Sequence, residues 1–491
     1  MASSDSNAAP SHISDARRRT KIVATIGPAS ESMEMIRKLI TAGMDVARVN
    51  FSHSDADKNC AIIERIRTAS REMNKPVAIL QDLCGPKIRT RNMKGDEVLL
   101  VEGKKTVVTT VEIEGTHERF STLYSSLHSD VSPGDKILLD DGKMELRVES
   151  VAGQDVHCTI VRGGILKSKK GMNLPNVMLS TPSVTEKDIS DLRRGIEAGV
   201  DYVALSFVRD PADVLRVKEL IKIAGAEIRV IAKIEKPEAV ARIEEIIAAS
   251  DGIMIARGDL GVEIAPEDVP VLQKKIITAC NRLDRPVIVA TQMLESMMSN
   301  LTPNRAEVSD IANAILDGAD AVMLSGETAS GRYPAESILM MNRIAVQAEH
   351  YLLSNLVTIA KPVGAQNRLL DVIGRAAFRI VEDLELGLLI TSSSTGQTAL
   401  YLSKSRTRAM ILGATNNEAA WRRMSLYWGV VPALCVKEPG VSKKDFMEAT
   451  SIEALKLGLA APNELVAVIT GTPICVNTTV SNAVEVVHIT G

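Results

Sequence analysis

The chain has 491 residues, a formal net charge of −3, 24% charged residues and only 3% aromatic ones. This length allows about three domains, and balanced charge with few aromatics excludes the basic footprint and stacking platform of a nucleic-acid binder. No stretch approaches the ~18 unbroken apolar residues of a membrane-spanning helix.

Residues 1–17 are polar, lack an apolar core and read as a flexible N-terminal tail, not a secretory signal. From Thr20 onward, eight short β-branched runs alternate with amphipathic segments. They are Lys21–Gly27, Asp45–Asn50, Val77–Asp82, Tyr202–Phe207, Ile228–Glu235, Gly252–Asp259, Pro286–Gln292 and Ala321–Glu327. Each is apolar on both faces, as a strand of a buried parallel sheet must be. Thr185 and Asp188 are spaced as a helix capping box. Asp210-Pro211 opens another helix, and Gly225 is placed to close it. Eight such units predict a (β/α)8 TIM barrel; an open doubly wound sheet is the alternative.

About 90 residues break the rhythm after Asp82. Val98–Val101, Thr106–Val111, Lys136–Leu139, Met144–Val151 and His157–Val161 read as strands, with turns at Pro133-Gly134 and Asp141-Gly142. They predict a small β-barrel domain inserted over the barrel mouth. After Leu353 a second alternation of helices and strands predicts a separate doubly wound α/β domain, ending in an apolar run at Ala483–Ile489. The expected domains are therefore 18–86 with 182–350 (barrel), 87–181 (inserted β domain) and 351–491 (C-terminal domain).

Cys60, Cys84, Cys158, Cys280, Cys435 and Cys475 stand singly, with no C-x-x-C pair. They read as reduced thiols of a cytoplasmic protein, and zinc is not expected.

In a TIM barrel, chemistry lies at the C-terminal strand ends. Those ends carry Asn50, Ser52, Asp82, Ser206, Lys233, Glu235, Asp259, Thr291, Ser325 and Glu327, with Arg48 two residues before Asn50. Lys233 and Glu235 share a strand face. They are either an internal ion pair or functional groups. An ion pair in a barrel interior gains little stability, which favours function. Glu235 and Asp259 suit Mg2+ or Mn2+ completed by water or substrate oxygens. Lys233 and Arg48 would face an anionic substrate. Mg2+, lysine and arginine together are the means of phosphoryl transfer, yet no G-x-x-x-x-G-K-[ST] or H-R-D motif is present. Gly258 lets backbone amides approach a carboxylate closely, and Thr291 adds a hydroxyl. In the C-terminal domain, Ser393, Ser394, Thr395, Gly396, Gln397 and Thr398 connect a strand to a helix, as an anion site or a hydroxyl-rich cap. Trp421, Arg422 and Arg423 lie either near that loop or on a solvated helix face.

The segments TKIVATIGPAS (20–30), ARVNFSH (47–53), GPKIRT (85–90), SKKGMNLPN (168–176), KIEKPE (233–238), SDGIMIARGDLGVE (250–263), ATQMLESM (290–297) and NRAEVSDIANAILDGADAVMLSGETASGRYP (304–334) occur in this order. Together they resemble the pyruvate kinase family over nearly the whole chain. The resemblance implies transfer from phosphoenolpyruvate to ADP, giving pyruvate and ATP. It implies Glu235 and Asp259 as Mg2+ ligands and Lys233 as the group facing the transferring phosphoryl. Arg48 would bind phosphate, and Gly258, Asp259 and Thr291 the substrate carboxylate. Asn50, Phe51, Ser52, His53, Arg89 and Lys170 would contact the nucleotide. Water near Thr291 and Ser325 would protonate the enolate. The inserted domain would act as a lid, residues 393–398 as a site for a phosphorylated effector, and the assembly would be a homotetramer. Members that need K+ hold it through residues matching Asn50, Ser52, Asp82 and the carbonyl at 83. Leu83 and Lys87 here resemble the K+-independent branch, with Lys87 standing in for the cation. Two rivals are another Mg2+-dependent barrel enzyme of phosphoenolpyruvate or pyruvate, such as a lyase, and a non-catalytic sensor of phosphorylated ligands.

Overall fold

Eight runs rich in Val, Ile, Ala and Leu pair side by side as parallel strands and close on themselves. The computed structural model describes residues 17–52, 55–354, 368–471, 473–476 and 481–490. The barrel strands are Lys21–Ile26, Val46–Asn50, Ala78–Asp82, Tyr202–Leu205, Arg229–Ile234, Gly252–Ala256, Val287–Ala290 and Ala321–Leu324. They form one closed parallel barrel, and the register sets Thr25 beside Arg48 and Asn50 beside Asp82. Almost every strand residue is buried, as helices outside and side chains inside require.

The expected helix signals act as read. Thr185 and Asp188 form a reciprocal capping box on Glu186–Glu197. Asp210 caps Pro211–Ile223, with Pro211 in the first turn. Gly225 follows that helix at φ +68°, where a side chain would be strained. One boundary differs from expectation. The sixth strand stops at Ala256 and Arg257–Glu263 is helical. Gly258 and Asp259 therefore sit in a first helical turn, not at a strand end. There the freed N-terminal amides face the barrel mouth.

Between Asp82 and Thr185 the chain forms a six-stranded sheet and a separate two-stranded ladder of Gly164–Lys167 with Glu97–Leu100. Arg119–Ser121 and Met172–Asn173, at the edges of the larger sheet, are further strands. A core including Val108, Phe120, Ile137, Leu146, Val156 and Ile160 holds this insertion together.

The C-terminal sheet runs Val430–Ala433, Met410–Ala414, Leu388–Ser392, Leu465–Thr470 and Ala483–His488. The last strand is antiparallel and the other four are parallel. This domain closes the floor of the barrel. The inner layer of Val23, Leu80, Tyr202, Ile231, Met254 and Met323 is continuous with Leu400, Tyr401, Leu426 and Tyr427. Polar contacts ring that plug. Tyr202 Oη donates to the Arg423 carbonyl at 2.8 Å, and Arg422 pairs with Asp201 at 2.9 Å. Buried Lys404 pairs with Asp320, which also receives Arg406 at 3.0 Å. Arg423 Nη1 also donates to the Glu227 carbonyl at 2.7 Å, so the Arg422 and Arg423 side chains both serve the floor of the barrel.

Candidate active site

The strand ends and the insertion enclose a cavity of about 380 Å³, wide enough for a small anionic substrate. Its walls include Thr25, Arg48, Asn50, Ser52, Asp82, Cys84, Lys87, Arg89, Ser206, Lys233, Glu235, Asp259, Thr291 and Ser325. Most of these come from the C-terminal ends of different barrel strands, where successive loops converge.

Charge is concentrated on one side. Lys233 Nζ lies 2.9 Å from Glu235 Oε1 and 3.4 Å from Asp82 Oδ1, and donates to Ser206 Oγ at 2.8 Å. Arg48 donates to Asp82 Oδ2 at 2.7 Å and to Thr25 Oγ1 at 2.9 Å. Burial by itself would depress the Lys233 ammonium, but Asp82 and Glu235 outweigh it and hold it well above its usual range. Burial raises Asp82 as well, yet Lys233 and Arg48 more than reverse this and keep it ionised. Glu235 goes the other way. Its complete burial, with Asp259 adding to it, lifts its carboxyl above the usual range despite Lys233. Its Oε2 accepts the Phe207 amide at 2.6 Å. Its Oε1 is buried against the Lys233 ammonium, 2.9 Å away, with no second protein donor.

That under-used oxygen, with Asp259 on the same cavity wall, fits a divalent metal. Among the described residues no three His, Cys, Asp or Glu side chains converge on one metal position. Water and substrate oxygens would therefore supply most of the coordination shell, as Mg2+ commonly accepts.

The turn beside Asp259 is strained. Thr291 has φ +74°, rare for a β-branched residue, and Gln292 has φ +54°. Arg257 supports this turn, donating to the Thr291 carbonyl at 2.8 Å and pairing with Asp310 at 2.7 Å. The hydroxyl of Thr291 accepts the Gly258 amide at 2.8 Å. Arg257 escaped the sequence reading. The signal was its place directly before Gly258, in the same motif.

Several expected residues stand elsewhere. The Phe51 ring is in the barrel's outer core, and its backbone is engaged as well, the amide donating to the Asp82 carbonyl at 3.0 Å and the carbonyl accepting Lys187 Nζ at 2.9 Å. Lys170 is not on the cavity wall and pairs with Asp140 at 2.9 Å. Glu327 turns away to accept the Ser325 and Leu294 amides at 2.7 and 2.9 Å. The Leu83 side chain is fully buried, and its carbonyl accepts Ser206 Oγ at 2.7 Å. Lys87 Nζ lies 3.4 Å from Asp259 Oδ1. Ser325 Oγ is buried without a partner. His53 lies outside the described residues. In the C-terminal domain, Gly396 adopts φ +85° before the short helix Gln397–Ser403. The hydroxyls of Ser393 and Thr395 accept the Ala399 and Gln397 amides, each at 3.4 Å.

Comparison with known proteins extends these observations over the chain. The family described as pyruvate kinase, barrel domain, matches residues 17–338, and pyruvate kinase, alpha/beta domain, matches residues 371–487. Similar curated proteins include a pyruvate kinase of Geobacillus stearothermophilus, 46% identical over 93% of this chain and 78% of its own length. A pyruvate kinase of Staphylococcus aureus (strain MRSA252) is 46% identical with the same coverage, and one of Staphylococcus epidermidis is 44% identical. Barrel, insertion and C-terminal domain are thus matched in one continuous order, and the chain belongs to the pyruvate kinase family.

Proposed function

We propose how the residues of this chain carry out pyruvate kinase chemistry, the transfer of a phosphoryl group from phosphoenolpyruvate to ADP giving pyruvate and ATP. The observation that carries the proposal is geometric: Lys233, 2.9 Å from Glu235, lines one cavity together with Arg48, Asp259 and Thr291. Lys233 and Arg48 bind the phosphoryl group and offset charge as it moves. Glu235 and Asp259 are the residues that would hold Mg2+ or Mn2+. When bound, the ion supplies further positive charge against the phosphoryl and enolate oxygens. Thr291 and the amides of Gly258 and Asp259 receive the substrate carboxylate. That requires the present Gly258–Thr291 bond to open. The free Ser325 hydroxyl and Thr291 position a water that protonates the enolate. Asn50, the Phe51 backbone, Ser52 and Arg89 border the nucleotide, and Lys170 joins them by leaving Asp140. The inserted domain acts as a lid that excludes water before transfer. A coupled assay with phosphoenolpyruvate, ADP and Mg2+ should yield pyruvate and ATP one for one. Pyruvate without ADP would favour a lyase, and no pyruvate at all a sensor.

We further propose that K+ is not required. The Leu83 carbonyl and Asp82 are already occupied by Ser206, Arg48 and Lys233, which supports a site with no place for a bound monovalent ion. Rates in tetramethylammonium buffer should stay within about twofold of those in K+, and Lys87→Glu should create a K+ requirement, since a carboxylate in place of the ammonium leaves negative charge for a bound cation to balance. A tenfold fall in wild-type rate without K+ would count against this.

Residues Ser393–Thr398 are proposed to bind a phosphorylated effector. Replacing Thr395 and Thr398 together with Glu should abolish activation by sugar phosphates or AMP, because two carboxylates would repel the phosphate. Persistent activation would refute the assignment. The proposed assembly is a homotetramer and the proposed location cytoplasmic. The six cysteines are free thiols, as a reducing compartment favours. No helix of the described residues is long and apolar enough to cross a membrane.

A further inference from the structure

The insertion meets the barrel at a second buried point, outside the contacts assigned to substrates. Asn173, in the strand Met172–Asn173, donates from Nδ2 to Glu263 Oε1 at 2.8 Å. Lys236 donates to the same oxygen at 2.7 Å. The Lys236 and Glu263 side chains are only 6% and 1% exposed. The other carboxylate oxygen of Glu263 is buried with no partner. Beside it lies a small cavity of about 20 Å³ reaching Lys87, Phe207 and Arg209, room for about one water molecule. A buried carboxylate is tolerated where charge and hydrogen bonds compensate it; Lys236 supplies the charge, and Asn173 adds a second donor from the insertion.

Their places in the chain give this trio its meaning. Lys236 directly follows Glu235. Glu263 is one helical turn beyond Asp259 on Arg257–Glu263. Asn173 belongs to the insertion. One hydrogen-bonded trio therefore joins the lid to both candidate metal carboxylates.

We propose that Asn173, Glu263 and Lys236 are positioning residues that couple the seating of the lid to the arrangement of Glu235 and Asp259. This rests on the metal assignment above. Coupling of this kind is reciprocal, so whatever binds at the carboxylates must also steady the lid.

The test is amide hydrogen exchange over residues 136–173 of the full-length protein, with and without Mn2+, alongside a direct Mn2+ titration. Asn173→Ala removes the lid's arm and leaves the Lys236–Glu263 pair intact. In the wild type, saturating Mn2+ should slow exchange about fivefold. In Asn173→Ala the protection should fall below about 1.5-fold, or Mn2+ should bind more weakly. Equal protection and equal affinity in the two proteins would overturn the coupling and leave the metal assignment standing. No Mn2+ binding to the wild type would overturn both.

Discussion

Lys233→Met is expected to lower kcat by about 10³-fold or more, the scale seen when a single cationic group is removed from phosphoryl transfer. The reasoning is electrostatic. Lys233 is fixed by Ser206, Glu235 and Asp82, so its charge is in place before substrate arrives and no rearrangement opposes the transition state. Arg48 is tied to Asp82 and Thr25 and cannot swing into the vacated space without breaking both contacts. Methionine keeps much of the side-chain length, but it leaves Glu235 without its cation and Asp82 with Arg48 alone. Removing one partner of a buried pair costs about 3–5 kcal/mol, so thermal unfolding must be recorded with the kinetics. A folded variant with kcat within tenfold of wild type would show that Lys233 does not meet the transferring group.

Glu235→Gln is expected to weaken Mn2+ binding by about 100-fold or more. The amide can still accept from Phe207, so the local backbone is preserved. It cannot supply the anionic oxygen that a hard cation requires. Direct titration of free Mn2+ by electron paramagnetic resonance separates this loss from any defect in turnover. Unchanged affinity would move the metal away from Glu235. Because Glu235 is fully buried and Asp259 is 26% exposed, the same change at Asp259 should be the milder of the two.

The barrel could be read from sequence because its strands are buried on both faces. Runs such as Ala78–Asp82 and Gly252–Ala256 are apolar without alternation, and polar residues mark their ends. The missed strands are short pieces of the insertion. Arg119–Ser121 spans three residues and Met172–Asn173 two, too few to carry a period, and the four residues of Gly164–Lys167 do not alternate. Site residues on strand ends were found because a charge at the end of an apolar run stands out. Direction was harder to read. Glu327 has the same setting as Asp82, yet its carboxylate serves two backbone amides. Phe51 follows Asn50, and the turn sends its ring into the core. Arg257 resembled a flanking charge, since its bonds to the Thr291 turn arise only from folding. The family resemblance marks Lys170 as a nucleotide contact, but its pairing with Asp140 depends on a hairpin 30 residues earlier.

The shared core beneath the barrel has a consequence for ancestry. Because Leu426 and Tyr427 complete the inner layer begun by Val23, Tyr202 and Met254, the barrel and the C-terminal domain cannot be exchanged as free modules. A chimera that takes its C-terminal domain from a distant relative must also bring cations for Asp320, whereas Asp201 keeps Arg67 of the barrel. Otherwise it leaves a buried carboxylate without its charge partners and an apolar well open to water. The two halves are therefore constrained to diverge together, and the inserted domain, which has its own core, is the part most at liberty to vary.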